Sequence, residues 1–169
     1  MPSDAANSAP EIDSDHGRAA LVAAIVIGII SLDQLTKAWV VSSLADAPLS
    51  IVGTTVEFHL SRNTGGAFSL FQRFTPLLAI LAVIVAGVLV RALQRTRDPV
   101  ILVALALVLA GAVGNLIDRI ARTPGFLRGA VVDFIRVGSF PSFNVADSAI
   151  TIGAVLLVLW GWRYQPERE

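Results

Sequence analysis

The sequence predicts a mainly α-helical membrane protein, a four-helix transmembrane bundle with a small extracytoplasmic β-sheet and a short interfacial helix. Three observations predict it. Hydrophobic residues make up 54% of the 169 residues and charged ones only 15%, far from a soluble norm. The apolar residues gather into four blocks close to the roughly 20 residues that cross a bilayer. Two connections, 45–73 and 121–145, are too long to be simple turns, and each carries a strand candidate.

Residues 1–18 are polar, with Asp4, Glu11, Asp13 and Asp15, and read as a disordered cytoplasmic tail. The first span, 19–44, exceeds the apolar region of a secretory signal and is interrupted by Asp33 and Lys37. Ala45-Asp46-Ala47 resembles a cleavage site, but Pro48 follows and three more spans come later. In the first long connection, the run from Ser50 to Leu60 reads as a strand. Gly65 to Phe71 then reads as the short interfacial helix or loop. The further spans are 74–93, 99–120 and 146–162, each apolar on all sides as membrane helices are. Pro99 suits a first helical turn. Trp160, Trp162 and Tyr164 mark a headgroup level at the end of the fourth span. Gly129 to Val137 is a second strand candidate. One membrane domain therefore covers 19–164, and 165–169 is a second cytoplasmic tail.

With four spans, both long connections lie on the same side. Arginines outside the spans or at their ends do not decide which side, because the count ties. Arg18, Arg91, Arg95, Arg97, Arg163 and Arg168 stand on the termini side, against Arg62, Arg73, Arg119, Arg122, Arg128 and Arg136. The dense Arg91/Arg95/Arg97 cluster in a short loop favours termini inside.

A net charge of zero gives no argument for nucleic acid. The absence of cysteine removes disulfides, thiolate nucleophiles and Cys-ligated metals. His16 and His59 have no second ligand at metal spacing, no serine sits in a nucleophile elbow, and no glycine-rich phosphate loop is present. No metal or organic cofactor is indicated. Gly111, Ala112 and Gly114 read as small residues that let helices approach.

The chemistry lies in four aspartates. An ionisable group at membrane depth costs at least about 2.5–3.5 kcal/mol, which makes it a functional-site hypothesis. Asp118 ends the third span and Asp147 begins the fourth, so they share a leaflet; Asp133 stands between them. Asp33 lies about 21 Å along the first span, in the outer part of a core about 30 Å thick. All four can meet at one membrane face. Each also has a purely structural reading. Asp33 and Lys37 form an i,i+4 pair. Asp118 neighbours Arg119 and Asn115, and structure is favoured there. Asn144 and Asp147 have capping-box spacing. Asp133, in Val131-Val132-Asp133-Phe134-Ile135, has no such role beyond an outward-facing strand position. Spacing alone does not choose Asp133 over Asp118.

These motifs together resemble the lipoprotein signal peptidase (signal peptidase II) family. The matching stretches are DQLTK at Asp33–Lys37, RNTGGAF at Arg62–Phe68, GNLIDR at Gly114–Arg119, VVDF at Val131–Phe134 and FNVADSAI at Phe143–Ile150. Ala110 departs from the family, which often has glycine there, and the stretch from Asp133 to Asp147 is short. The resemblance implies an aspartic endopeptidase of the bacterial inner membrane, its active site at the extracytoplasmic face. Its substrate would be a prolipoprotein carrying a diacylglyceryl-modified cysteine, cut just before that cysteine. It implies Asp133 and Asp147 as the catalytic dyad. Asp33, Lys37, Asn63, Gly65, Asn115, Arg119, Asn144 and Ala146 match supporting positions. The expected partners are the lipidated substrate and membrane lipid, with the enzyme a monomer.

Two close carboxylates share one proton. Asp147 at a helix N-terminus is expected to ionise more easily, leaving the proton on Asp133. Arg62, Asn63 and Arg119 are expected to address substrate carbonyls or the lipid headgroup, and Gly65–Phe71 to close over the bound peptide. The competing reading is a proton-coupled carrier or membrane scaffold, for which internal repeats are missing.

Overall fold

The elements follow in the order α1 (Glu11–Ser43), β1 (Leu49–Val52), β2 (Val56–Asn63), α2 (Thr75–Arg95), α3 (Pro99–Ala121), β3 (Val131–Val137) and α4 (Val145–Arg163). The structure is a computed structural model and describes residues 11–53, 55–64 and 75–163, with side chains from 15 onward. Four helices are long and apolar enough to cross a membrane. The interfacial segment Gly65–Phe71 and Tyr164 lie outside the described residues.

The spans fall close to their expected bounds, with one exception. The segment read as tail is helical from Glu11, ahead of the apolar run. Acidic residues favour a helix N-terminus, and Asp15 pairs with Arg18 one turn on. α3 starts as its sequence suggests: Pro99 occupies the first turn and Asp98 caps it, accepting from Val100 N at 2.8 Å and Ile101 N at 3.1 Å. The second Asp98 oxygen accepts the indole N–H of Trp160 at 3.1 Å, which ties α4 to α3 at that end.

α3 is the central helix. The other three pack against it, and it alone has half of its apolar window buried. Small residues make this possible, because lipid tails are as apolar as leucine and only close packing favours helix contact over lipid contact. At Gly111 an added Cβ would stand 2.3 Å from the Ala146 carbonyl oxygen, and at Gly114 it would stand 2.8 Å from Asp33 Oδ2. Gly153 on α4 faces Ala104 O in the same way. Gly111→Val is therefore expected to push α4 off α3 and cost about 1–3 kcal/mol or more, read as a lower unfolding temperature in detergent.

The strand expected over Ser50–Leu60 is instead a hairpin. Gly53 takes a left-handed φ of 52°, and Thr55 N donates to Val52 O at 3.0 Å. A glycine inside a strand pattern marks such a break. The three strands form an antiparallel sheet in the order β1-β2-β3. Register pairs Phe58 with Ile135, Ser61 with Asp133 and Asn63 with Val131, with an irregularity between Phe58 and Ser61.

Alternation along β3 sorts its residues between two jobs. Val132 and Phe134 pack with Val40 of α1, joined by Phe58, Leu60 and Val145. Phe58 meets Phe134 edge-on with ring centroids 5.7 Å apart, and Trp39 similarly at 6.3 Å. Val131 and Asp133 therefore face the other way, into a cavity against the helix ends.

Candidate active site

After β3 the chain turns at Gly138, where φ is 54°, and comes straight back. Phe143 N donates to Ile135 O at 3.0 Å, and Phe143 O accepts from Ile135 N at 2.8 Å. This short return delivers Asn144 beside the strand. Its side-chain amide donates to Asp133 Oδ1 at 2.7 Å and is also 3.3 Å from Val132 O. Its own side-chain oxygen accepts from Asp147 N at 2.9 Å, while its backbone N–H donates to Asp147 Oδ2 at 3.2 Å. That reciprocal exchange is the capping box expected from the spacing. One residue thus touches both carboxylates.

Each carboxylate has a second amide donor. Asn63 Nδ2 lies 3.0 Å from Asp133 Oδ2, and Asn115 Nδ2 lies 2.8 Å from Asp147 Oδ1. Asp133 is only 3% exposed, so the outward-facing strand position is ruled out. Burial first, then the charge of Asp147, pushes the Asp133 carboxyl up from 3.8 to about 6, against the bonds from Asn63 and Asn144 that favour its ionised form.

Behind this pair stands a fully buried ion cluster. Lys37 Nζ lies 2.8 Å from Asp33, 2.9 Å from Asp118 and 3.0 Å from Asn115 Oδ1. The i,i+4 pair Asp33/Lys37 therefore exists, extended by a second carboxylate from α3. Asp33 Oδ1 accepts the Ala146 N–H at 3.0 Å and so holds the start of α4. Asp118 pairs with Arg122 at 2.6 Å rather than with its neighbour Arg119, since i,i+4 residues share a helix face and adjacent ones do not. Its other oxygen accepts Val132 N at 3.1 Å, fixing β3 to α3. Every Asp118 oxygen is engaged, which leaves none for a water or a substrate. The buried Asn115 carries the Lys37 charge towards Asp147 through one amide, and Asn144 donates to the same Asn115 oxygen at 3.1 Å.

The cavity has a volume of about 590 Å³. Asn63, Asn115, Arg119, Asp133 and Asp147 line it, and Phe140, Pro141, Phe143, Ile150 and Ile152 form its apolar walls. Arg119 donates from Nη1 to Asn115 O at 3.0 Å, and its buried Nε has no partner among the described residues. Arg62 does not join it. It is exposed on β2, on the face opposite Asn63, as alternation requires. Gly65 lies outside the described residues.

Gln34, not among the residues expected at the site, reaches with its amide Asp33 at 3.1 Å, Gly114 O at 3.1 Å and Asp118 at 3.3 Å. A polar amide inside an apolar span was signal enough. His59, which has no second ligand at metal spacing in the sequence, has Ser142 Oγ 3.2 Å from its Nε2. This is no hydrolytic triad: His59 Nδ1 is buried with no partner among the described residues, so nothing there orients the ring.

Comparison with known proteins agrees with this architecture. The family model for signal peptidase (SPase) II matches residues 25–163. A lipoprotein signal peptidase of Rhodococcus jostii is 43% identical over 92% of this chain and 79% of its own. One from Mycobacterium avium is 40% identical over 94% of this chain and 88% of its own. A solved structure of a bacterial membrane enzyme, obtained by the in meso method at 2.3 Å, superposes with a TM-score of 0.77 at 28% identity, covering 89% of this chain and 94% of that one. Two carboxylates, Asp133 buried and Asp147 half-buried, at one end of a four-helix membrane bundle thus stand in a chain that belongs to the signal peptidase II family, a multi-pass bacterial membrane peptidase.

Proposed function

We propose that this protein is an aspartic endopeptidase that removes the signal peptide from diacylglyceryl-modified prolipoproteins, cutting just before the lipidated cysteine. The observation that carries the reading is Asn144 bonded to both Asp133 and Asp147 at one cavity, in a chain of this family. The carrier or scaffold reading finds no support in that arrangement.

In the proposed reaction Asp147, ionised at the α4 N-terminus, takes a proton from a water as its oxygen attacks the scissile carbonyl carbon. Asp133, neutral, donates its proton to the carbonyl oxygen. The tetrahedral intermediate collapses as the C–N bond breaks: Asp147 passes the proton taken from water to the leaving nitrogen, and one hydroxyl of the intermediate returns its proton to Asp133, leaving a carboxylic acid and the amine. Asn63, Asn115 and Asn144 hold the two carboxylates through amide donors that neither gain nor lose charge. Asn63 and Arg119 are placed to meet substrate carbonyls or the lipid headgroup. Ile152 both lines the cavity and faces outward from α4, which supports lateral entry of the signal helix from lipid. The active site belongs on the extracytoplasmic face of the inner membrane, with the termini inside.

The pH dependence has a definite sign. Asp133 must be protonated to act, and its raised value of about 6 extends that form upward from the usual carboxylate range. The kcat/KM should therefore fall about tenfold per pH unit above about pH 6, because it reports the free enzyme. Asn63→Ala removes a bond that favours the ionised form, so the alkaline limb should move to higher pH. An unmoved limb would disconnect Asp133 from it.

The direct test offers the purified protein in detergent a lipidated and an unlipidated precursor peptide. Cleavage of the lipidated peptide alone is expected; cleavage of neither, or of both equally, would count against the proposal.

A further inference from the structure

At the opposite end of the bundle a second cavity, of about 500 Å³, lies between α1 and α2 over the surface of α3. α1 and α2 each pack on α3 but hardly touch each other, so the gap opens sideways to the bilayer. Its walls are apolar, including Ala23, Val26 and Val90, and small residues on α1 keep it wide. Its polar lining is confined to one level. Asp15 and Arg18 on α1 stand beside Gln94 and Thr96 at the end of α2. That is the level where both helices pass from apolar to polar sequence.

The dimensions match one lipid. From Arg18 to Val26 the groove runs about 12 Å, close to the depth of one leaflet in a hydrocarbon core about 30 Å thick. Apolar walls with a polar mouth at one boundary suit an acyl chain below a headgroup, and basic pockets between membrane helices are known to take lipid phosphates. The charges at the mouth narrow the class. Arg18 pairs with Asp15 within α1, and Asp15 is exposed. Such a pair is worth little and exchanges readily. A headgroup bearing both a phosphate and an ammonium satisfies the two side chains at once, phosphate on Arg18 and ammonium on Asp15. A headgroup with phosphate alone leaves Asp15 facing a like charge.

We infer that this groove binds one glycerophospholipid with an amine-bearing phosphate headgroup, in the leaflet on the side of the termini. It is separate from the carboxylate cavity and does not depend on the proposed reaction.

The test is native mass spectrometry of the full chain released from nanodiscs of equal phosphatidylethanolamine and phosphatidylglycerol. One phosphatidylethanolamine per chain is expected to survive delipidation in preference to phosphatidylglycerol. Ala23→Trp, at an exposed groove position, should abolish its retention. Asp15→Asn should keep a bound lipid but lose the preference between the two classes. Should Ala23→Trp fail to fold, Arg18→Gln, at the polar mouth, is expected to lose retention as well. Equal retention of both classes by the unaltered chain, retention of neither, or full retention in the folded groove variants would each overturn the inference.

Discussion

Asp133→Asn and Asp147→Asn are each expected to lower peptide cleavage by about 10²–10⁴-fold or more, the range attributed to a positioned acid or base, while the protein stays folded. Folding should survive because asparagine keeps the volume of the side chain and an acceptor oxygen. At 147 that oxygen still receives the Asn144 N–H, so the cap on α4 persists. At 133 the removed charge is one that burial already disfavours. The contrast with Asp118 makes the experiment informative. Among the described residues the Asp118 carboxylate bonds to Lys37, Arg122, Gln34 and the Val132 N–H, and it does not line the cavity. Asp118→Asn should therefore lower the unfolding temperature, with its effect on cleavage following from that loss. Peptide turnover and thermal unfolding, measured on the same detergent preparations, separate the two behaviours. Normal turnover by either Asp133→Asn or Asp147→Asn would end the dyad scheme.

Lys37→Met should be the most destabilising single change, by about 3–5 kcal/mol, because it leaves the buried Asp33 without its cation and Asp118 with Arg122 alone. Lys37 and both of its partners, Asp33 and Asp118, are fully buried. Removing all three charges together (Lys37→Met with Asp33→Asn and Asp118→Asn) should recover much of that loss. A buried ion pair roughly breaks even against neutral groups, while a broken one does not. Thermal unfolding of the single and triple variants reads this directly. If the triple variant is no more stable than the single one, hydrogen bonding by Asp33 to Ala146 and by Asp118 to Val132 matters more than charge balance.

Local features were legible in the chain. The four spans follow from apolar length, the start of α3 from Asp98 and Pro99, and the start of α4 from the Asn144/Asp147 spacing, since each involves neighbours within one turn. Asp33 and Lys37 are likewise one turn apart. The hairpin at Gly53 was available in principle, but its flanks continue the same alternation, so polarity alone did not reveal the break. The start of α1 at Glu11 was hidden because polar sequence is common to tails and to helix ends.

Read alone, the chain implied a membrane bundle whose aspartates reach one face, and its resemblance to the family implied which two of them are expected to carry the chemistry. Tertiary structure decided which carboxylates are occupied and which are available. Asp118 is consumed by a lysine from another helix and a strand N–H, while Asp133 is turned into the cavity by the strand register and gripped by Asn63 and Asn144. The reason is physical. Helix periodicity and capping act over a few residues, whereas the charge balance of a buried group depends on partners that only packing brings within hydrogen-bond reach.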